Sequence, residues 1–121
     1  MADPVVHFEV GVTDGGRARD FYGELFGWRF QTEPDEANTL VVFEEGVGGN
    51  LTQVPEGVPP YVTFYVLVDD PGAYLERVER LGGKAMMPTT PIPGVGAFAM
   101  IADPDGNAIG LFTPEREPTA S

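Results

Sequence analysis

The feature that most constrains the fold is an internal repeat. The segment VVHFEVGV, from Val5, alternates polar and apolar residues as a β-strand does, and YVTFYVLVDD, from Tyr61, begins the same pattern again. A helical pattern follows each strand, with an aspartate where it begins and glycine where it ends. One offset of 56 residues pairs three sets of positions: Asp14 with Asp70, Gly27 with Gly83, and His7 with Thr63. Independent landmarks that share one offset indicate a duplicated unit.

Three further strand-like runs follow each helix. In the first half they begin at Trp28, Thr39 and Asn50, and in the second at Lys84, Ala97 and Asn107. The sequence therefore predicts an α+β fold of two βαβββ repeats in a single domain, residues 1–121. The first repeat is expected over about 5–54, a proline-rich linker over 55–60, the second repeat over about 61–113, and a fraying tail over 114–121.

Alternation also predicts which side chains share a face. In the first strand His7, Glu9 and Gly11 fall on one face, and Phe8, Val10 and Val12 on the other. In the second repeat Thr63, Tyr65 and Leu67 oppose Phe64, Val66 and Val68. We expect the second set of each strand to pack under the helix. The segment from Thr89 to Gly96 is too long for a tight hairpin, so it is predicted to be either a rim or lid loop or an ordinary surface excursion.

Charge and cysteine content exclude several classes of function. Seven Lys and Arg against nineteen Asp and Glu give a net charge of -12, which disfavours nucleic acid and anionic membranes as partners. We interpret the excess of acidic residues as a surface that keeps the protein in solution rather than as a site for a basic partner. The absence of cysteine excludes thiolate catalysis, zinc–thiolate sites and disulfides. The N-terminal residues show neither a basic leader nor a long apolar run, so a soluble, cytoplasmic protein is expected.

Three separated motifs resemble one protein family. They are V-x-H-F-E-V-x-V-x-D in the first strand, A-x-x-F-Y-x-x-x-F-G-W through the first helix, and D-P-D-G-N-x-I-x-L near the end. Together with the duplication they resemble the vicinal oxygen chelate superfamily, which includes glyoxalases, bleomycin resistance proteins and extradiol dioxygenases. The resemblance implies a glyoxalase-like open, incomplete β-barrel with helices outside and a concave inner face. It also implies a homodimer.

The resemblance further implies where metal-dependent members carry their ligands. The four positions fall on His7, Thr63, Asn50 and Gly110 in this sequence. Only His7 is a strong donor for a divalent metal, so we predict no metal and no cofactor. A competing hypothesis is a metal-dependent lyase, isomerase or dioxygenase, or an acid–base enzyme. Its site would be rebuilt from His7 and Glu9 with donors from a partner subunit or from the Thr89–Gly96 loop.

The leading hypothesis is a protein that binds a small organic molecule in the concave pocket, and a third alternative is a dimeric regulatory or interaction module. The pocket candidates are His7, Glu9, Asn50, Thr63, Tyr65, Phe98, Met100, Gly110 and Phe112. His7 is interpreted first as a hydrogen-bonded structural residue, with ligand contact and general base catalysis as alternatives. Core packing and a dimer contact explain the aromatic residues of the first helix, namely Phe21, Tyr22, Phe26 and Trp28. The DPDGN segment is predicted to be a turn rather than a calcium site.

Overall fold

A computed structural model describes residues 2–32, 38–43 and 45–115 of the protein. It contains two α-helices and eight strands in the order expected for two βαβββ repeats, so the predicted α+β fold class is confirmed. The described residues form two compact units. The first unit is Val6–Phe64, and the second comprises the residues from Tyr65 onwards together with the N-terminal residues up to Val5.

The first unit contains one helix and a mixed four-stranded sheet. Its elements are β1 (Val5–Val12), α1 (Gly15–Phe26), β2 (Arg29–Thr32), β3 (Asn38–Val42) and β4 (Gly49–Gln53). The strands lie in the order β2-β3-β4-β1. The β1–β4 pair is parallel and the other two pairs are antiparallel.

The second unit repeats this arrangement. Strand β5 (Tyr61–Leu67) begins in the first unit and continues into the second, and α2 (Pro71–Val78) follows it. The remaining strands are β6 (Lys84–Ile92), β7 (Gly96–Ala102) and β8 (Ala108–Pro114), in the order β5-β8-β7-β6. As in the first unit, the first and last strands of the repeat pair in parallel and the other pairs are antiparallel.

Both helices begin at the aspartates that the repeat predicts. The Asp14 carboxylate accepts a hydrogen bond from the Arg17 amide at 3.1 Å, and Asp70 accepts from the Ala73 amide at 3.4 Å. Gly27 ends α1 in the left-handed conformation, with φ 71°. After α2, a 3₁₀ turn over Glu79–Leu81 places Gly82, rather than Gly83, in that conformation, with φ 95°. In the described ranges, neither helix has the length and apolarity that a membrane crossing requires.

The core of each unit lies between its sheet and its helix. In the second unit the buried residues Val68, Ala99 and Leu111 pack with Val66 and Ile101 of the sheet and with Tyr74 and Leu75 of α2. The prediction that Val66 and Val68 lie under the helix is therefore confirmed. The same prediction for Phe64 is wrong, because this side chain is 39% exposed. In the first unit Leu51 is buried beside Thr39, whose hydroxyl accepts a hydrogen bond from Arg19 of α1.

Aromatic packing joins α1 to the sheet of the first unit. Trp28 stacks on Tyr22 with ring centroids 4.9 Å apart, and it also contacts Phe8 of β1 at 5.5 Å. Core packing thus accounts for Tyr22 and Trp28, as predicted. Phe21 and Phe26 are both more than half exposed, so packing within the described residues covers only part of their surface.

The loop predicted over Thr89–Gly96 is not a loop. Strand β6 continues through Thr89 to Ile92, a three-residue turn over 93–95 follows, and β7 begins at Gly96. The prolines that suggested a loop are tolerated because β6 is an edge strand, where a residue without an amide proton need not break the hydrogen bonding of the sheet. The register of β6 with β7 is also shifted between Met87 and Thr90. The rim or lid loop is therefore wrong, and the segment is a β-hairpin.

The predicted tail falls largely outside the described residues. Pro114 is the last residue of β8 and Glu115 follows it, whereas residues 116–121 are not described. The bounds predicted for the two repeats, the linker over 55–60 and the tail over 114–121 stay predictions.

Candidate functional site

The sheet of the first unit carries a group of polar side chains on the face opposite α1. In the β1–β4 register Glu9 lies opposite Asn50 and Gly11 opposite Thr52, and in the β3–β4 register Asn38 lies opposite Thr52. Directly opposed residues share a face, as do residues two apart on one strand. We call this set the polar face; its members are His7, Glu9, Asn38, Asn50 and Thr52.

A directed chain of hydrogen bonds connects four of these residues. The Asn50 amide nitrogen donates to the Thr52 hydroxyl, which donates to Asn38 Oδ1 at 2.8 Å. This orientation leaves Asn50 Oδ1 facing His7 Nε2 at 2.7 Å. Because an amide oxygen only accepts hydrogen bonds, Nε2 must carry the proton. Asn50 is buried, with 8% of its surface exposed, so the chain fixes the orientation of the imidazole.

Glu9 has a phenol as its partner. The hydroxyl of Tyr61, at the start of β5, donates to the Glu9 carboxylate. The tyrosine ring can lie there because residue 11 is glycine: a Cβ at this position would be 2.8 Å from Tyr61 Cζ and closer still to two other ring carbons. A carboxylate that needs a partner in a part-buried environment is therefore satisfied within the first unit.

These residues do not fit a catalytic divalent cation at the positions that the resemblance implies. The Nε2 atom of His7 carries a proton and donates to Asn50, Thr63 offers a neutral hydroxyl and Gly110 has no side chain. Divalent metals in such sites require several imidazole or carboxylate donors. Among the described residues no group of three or more His, Cys, Asp or Glu side chains is arranged to hold a metal ion. Thr63 is buried, with 6% of its surface exposed, and its hydroxyl lies 3.5 Å from the Phe64 carbonyl.

The sheet of the second unit carries apolar side chains on the corresponding face. Across the strands Tyr65 lies opposite Gly110 and Gly110 opposite Met100, which in turn lies opposite Met87. The neighbouring row joins Leu67, Phe112, Phe98 and Thr90. We call these two rows the apolar face. It lies on the side of the sheet away from α2, because the alternating residues Val66, Ala99 and Leu111 form the core under that helix.

Gly110 makes room for an aromatic ring on the apolar face. A Cβ at position 110 would lie 2.7 Å from Tyr65 Cγ and closer still to two other carbons of the ring. The Tyr65 ring therefore crosses over β8 and meets Phe98 of β7 edge to face, with centroids 6.4 Å apart. The glycine is explained by close approach of this ring, and the strand is regular at this point.

Eight of the nine pocket candidates from the sequence thus lie on one of the two faces, whereas the ninth, Thr63, is a buried residue that belongs to neither set. Four of them, Tyr65, Phe98, Met100 and Phe112, share the apolar face with Gly110, and His7, Glu9 and Asn50 share the polar face. Tyr61 and Met87 lie on these faces but were not among the residues predicted from the sequence. Tyr61 alternates in step with Thr63 and Tyr65 along β5, so the sequence pattern could have identified it. The face on which Met87 lies could not be predicted from alternation, because the register of β6 is shifted on both sides of this residue.

The predicted turn at DPDGN is confirmed and lies at one end of the apolar face, between β7 and β8. The Asp103 carboxylate accepts hydrogen bonds from the amides of Asp105 and Asn107 and from the Asn107 side chain, at 2.9 to 3.0 Å. Gly106 supplies the left-handed conformation, with φ 89°. The Asn107 side chain, followed by its backbone amide, lowers the pKa of Asp103 because both hydrogen bonds favour the charged carboxylate.

Comparison with known families gives one match over nearly all of the described chain. Residues 5–111 match the family model of the Glyoxalase/Bleomycin resistance protein/Dioxygenase superfamily.

Two relatives and one solved structure illustrate the range of similar proteins. CFP32 of Mycobacterium tuberculosis, whose name describes it as a candidate glyoxylase, is 33% identical over 116 residues; the match covers 89% of this chain and 44% of that protein. The chain thus spans less than half the length of this relative. A glyoxylase-like domain-containing protein of Didymella fabae is 31% identical, with 87% of this chain and 89% of that protein covered.

The solved structure shows similarity of fold alone. Methylmalonyl-CoA epimerase of Mycobacterium tuberculosis aligns with a TM-score of 0.64 at 15% identity, covering 97% of this chain and 91% of that one.

Proposed function

Because the chain belongs to the Glyoxalase/Bleomycin resistance protein/Dioxygenase superfamily, we propose that it binds a small organic molecule on the apolar face of its second unit without a catalytic metal. The superfamily and the similar proteins carry several different activities in their names. Membership therefore does not select a reaction, and the proposal rests on the chemistry of this chain's own residues.

The observation that carries the proposal is the composition of the apolar face. Its two rows combine aromatic rings and thioethers, with the tyrosine and threonine hydroxyls as the only polar groups in their side chains. Phe98, Met100 and Phe112 are only partly buried, and Met87 is 40% exposed. Small-molecule sites are mostly apolar surfaces with a few polar groups, and exposed apolar surface of this kind favours binding by burial.

The polar face supports the metal-independent part of the proposal. Its imidazole donates through Nε2 to Asn50, and its carboxylate accepts from Tyr61, so both strong donors of the set already have partners within the protein. The alternative enzyme with a rebuilt site is less well supported, because the segment that was expected to supply donors, Thr89–Gly96, is a β-hairpin. The homodimer and the cytoplasmic location stay predictions.

Binding of 1-naphthylmethanol, followed by isothermal titration calorimetry and by thermal shift, tests the proposal. We expect Phe98→Ala to weaken binding about tenfold, since it removes an aromatic contact and apolar area from the face. Phe21→Ala, which truncates an exposed ring on α1, is the matched control and should leave the affinity unchanged. Phe98→Leu, which preserves the volume better, should lose about threefold and covers the case in which the alanine variant folds poorly.

Two results would overturn the proposed function. The first is no detectable binding of 1-naphthylmethanol by the wild-type protein, or equal weakening by Phe98→Ala and Phe21→Ala. The second is elemental analysis of protein purified without chelators that finds a stoichiometric transition metal which is lost in His7→Ala.

A further inference from the structure

We infer that the apolar face selects planar aromatic cations over neutral and anionic molecules of the same shape. The inference rests on the proposed function and adds the charge class of the ligand. The charges that surround the face support it, together with the aromatic rings of the face itself.

The apolar face itself carries no charge. Neither of its rows contains a Lys, Arg, Asp or Glu residue, so no charged group on the described face can pair directly with a charged ligand. An ionic group on the ligand would therefore remain at the border of the face, near water, while the aromatic part covers the rings. Selection by charge must then come from residues around the border and from the net charge of the protein.

The border is mostly acidic. At one end of β8, Glu115 follows the strand directly and its amide donates to the Val95 carbonyl, which holds it beside the β6–β7 turn. At the other end the DPDGN turn supplies Asp103 and Asp105, with Lys84 opposite Ala102 as the basic residue on this side. The Asp103 pKa is lowered, so this carboxylate keeps its negative charge at neutral pH.

The surrounding charge has the same sign. The described residues of the second unit include eight Asp and Glu residues but only three Lys and Arg, and the whole chain has a net charge of -12. Such a field attracts cations and repels anions over distances comparable to the Debye length. Rings also interact favourably with cations, because the faces of Tyr and Phe carry the negative part of their quadrupole.

Three probes of similar shape and different charge test the inference: 1-naphthylmethylammonium, 1-naphthylmethanol and 1-naphthoate. In about 20 mM salt we expect the cation to bind about tenfold more tightly than the anion, with the neutral alcohol between them. In about 0.5 M salt the ratio should fall to about twofold, because salt screens charges that are not in contact.

Charge variants at the border locate the effect. Glu115→Gln should lower the cation-to-anion ratio about twofold, and Lys84→Gln should raise it by a similar factor. Glu76→Gln, on the exposed surface of α2 and therefore on the other side of the sheet, is the matched control and should change the ratio less than either. All three substitutions replace exposed side chains, so the variants are expected to fold normally.

The outcomes separate this inference from the proposed function. If 1-naphthylmethanol binds but the cation and the anion have equal affinities, or the anion binds more tightly, the inference is overturned and the proposed function stands. A ratio that does not change with salt, or that Glu76→Gln lowers as much as Glu115→Gln does, also overturns it. If none of the three probes binds, the proposed function and the inference both fail.

Discussion

The two repeats agree on the side of the sheet that meets the helix and differ on the opposite side. Both have an aspartate cap, a helix and a sheet whose first and last strands pair in parallel. The face away from the helix is a hydrogen-bonded set of amides, hydroxyls, a carboxylate and an imidazole in the first unit, whereas in the second it is a set of rings and thioethers. The helix-facing side determines the fold, so the other side can change without loss of the architecture.

On both faces a glycine makes room for a tyrosine ring, but the two tyrosines make different contacts. In each unit a glycine lies under a tyrosine ring from β5, Gly11 under Tyr61 and Gly110 under Tyr65. Tyr61 directs its hydroxyl to a carboxylate, whereas Tyr65 directs its ring to another ring. A glycine at such a position provides space, and the partner of the tyrosine determines whether that space serves a polar or an apolar contact.

The largest effect is expected at the glycine of the apolar face. Gly110→Ala should lower the free energy of unfolding by about 2–3 kcal/mol, because its Cβ meets one edge of the Tyr65 ring, including Cγ, and this ring is part-buried. Gly11→Ala should cost less than about 1 kcal/mol, since the ring that its Cβ meets, that of Tyr61, is 37% exposed. Urea denaturation of both variants measures the difference.

A double variant sharpens this comparison. If the clash is the cause, adding Tyr65→Ala to Gly110→Ala should cost clearly less than the sum of the two single substitutions. Additive costs, or a Gly11→Ala variant that is destabilised as much as Gly110→Ala, would contradict the explanation given for these glycines.

An intermediate effect is expected in the polar face. Asn50→Leu should destabilise the protein by about 1–2 kcal/mol, because it removes the hydrogen bonds that a buried amide makes to His7 and Thr52. His7 is the single histidine of the chain, so its ring nitrogens can be observed by NMR without assignment of other histidines. The wild-type protein should show a protonated Nε2 in the neutral ring, and the variant a mixture of tautomers.

Thr52→Ser is the control for this experiment, since it retains the hydroxyl that links Asn50 to Asn38. It should preserve the Nε2–H tautomer. A wild-type spectrum with the proton on Nδ1 would show that the hydrogen-bond chain does not have the direction inferred from its contacts.

The smallest effect concerns pH and the turn at the end of the apolar face. The pKa of Asp103 is lowered in the folded protein from an ordinary value of 3.8, first by the Asn107 side chain. A group with a lowered folded pKa stabilises the fold above its unfolded pKa, and this contribution is lost as the pH falls through the folded pKa. Asn107→Ala should therefore lower Tm slightly at pH 6, and the difference from the wild type should shrink as the pH falls below 3.8. A difference that grows in acid would have the wrong sign for this linkage.

Much of the fold could be predicted because alternation and helix caps are local signals. The aspartates, Gly27 and the alternation in β1 and β5 predicted the correct elements, and in β5 the alternation correctly placed Val66 and Val68 under the helix, with Phe64 as the exception. The hairpin at 93–95 was missed, because prolines disfavour strands in general but are tolerated on an edge with shifted register. Whether a strand lies at the edge of a sheet depends on the order of the strands, and a local sequence pattern does not show that order.

The two candidate faces were harder to predict for the same reason. Strand parity assigned His7 and Glu9 to one face, but their partners Asn50 and Tyr61 come from other strands, and the pairing register decides which residues meet. Gly110 shows the limit most clearly. A glycine in a strand indicates that something needs space, and only the register of β5 with β8 identifies Tyr65 as the residue that occupies it.

The contact between Tyr65 and Gly110 also restricts how this sequence can diverge. A side chain gained at position 110 meets the ring at once, so the change is accessible only after, or together with, a smaller residue at position 65. The two positions should therefore be inherited as a pair, with a bulky residue at one excluding a bulky residue at the other. Within this lineage, the order of substitutions at two neighbouring strands would decide which kinds of site the second repeat can acquire.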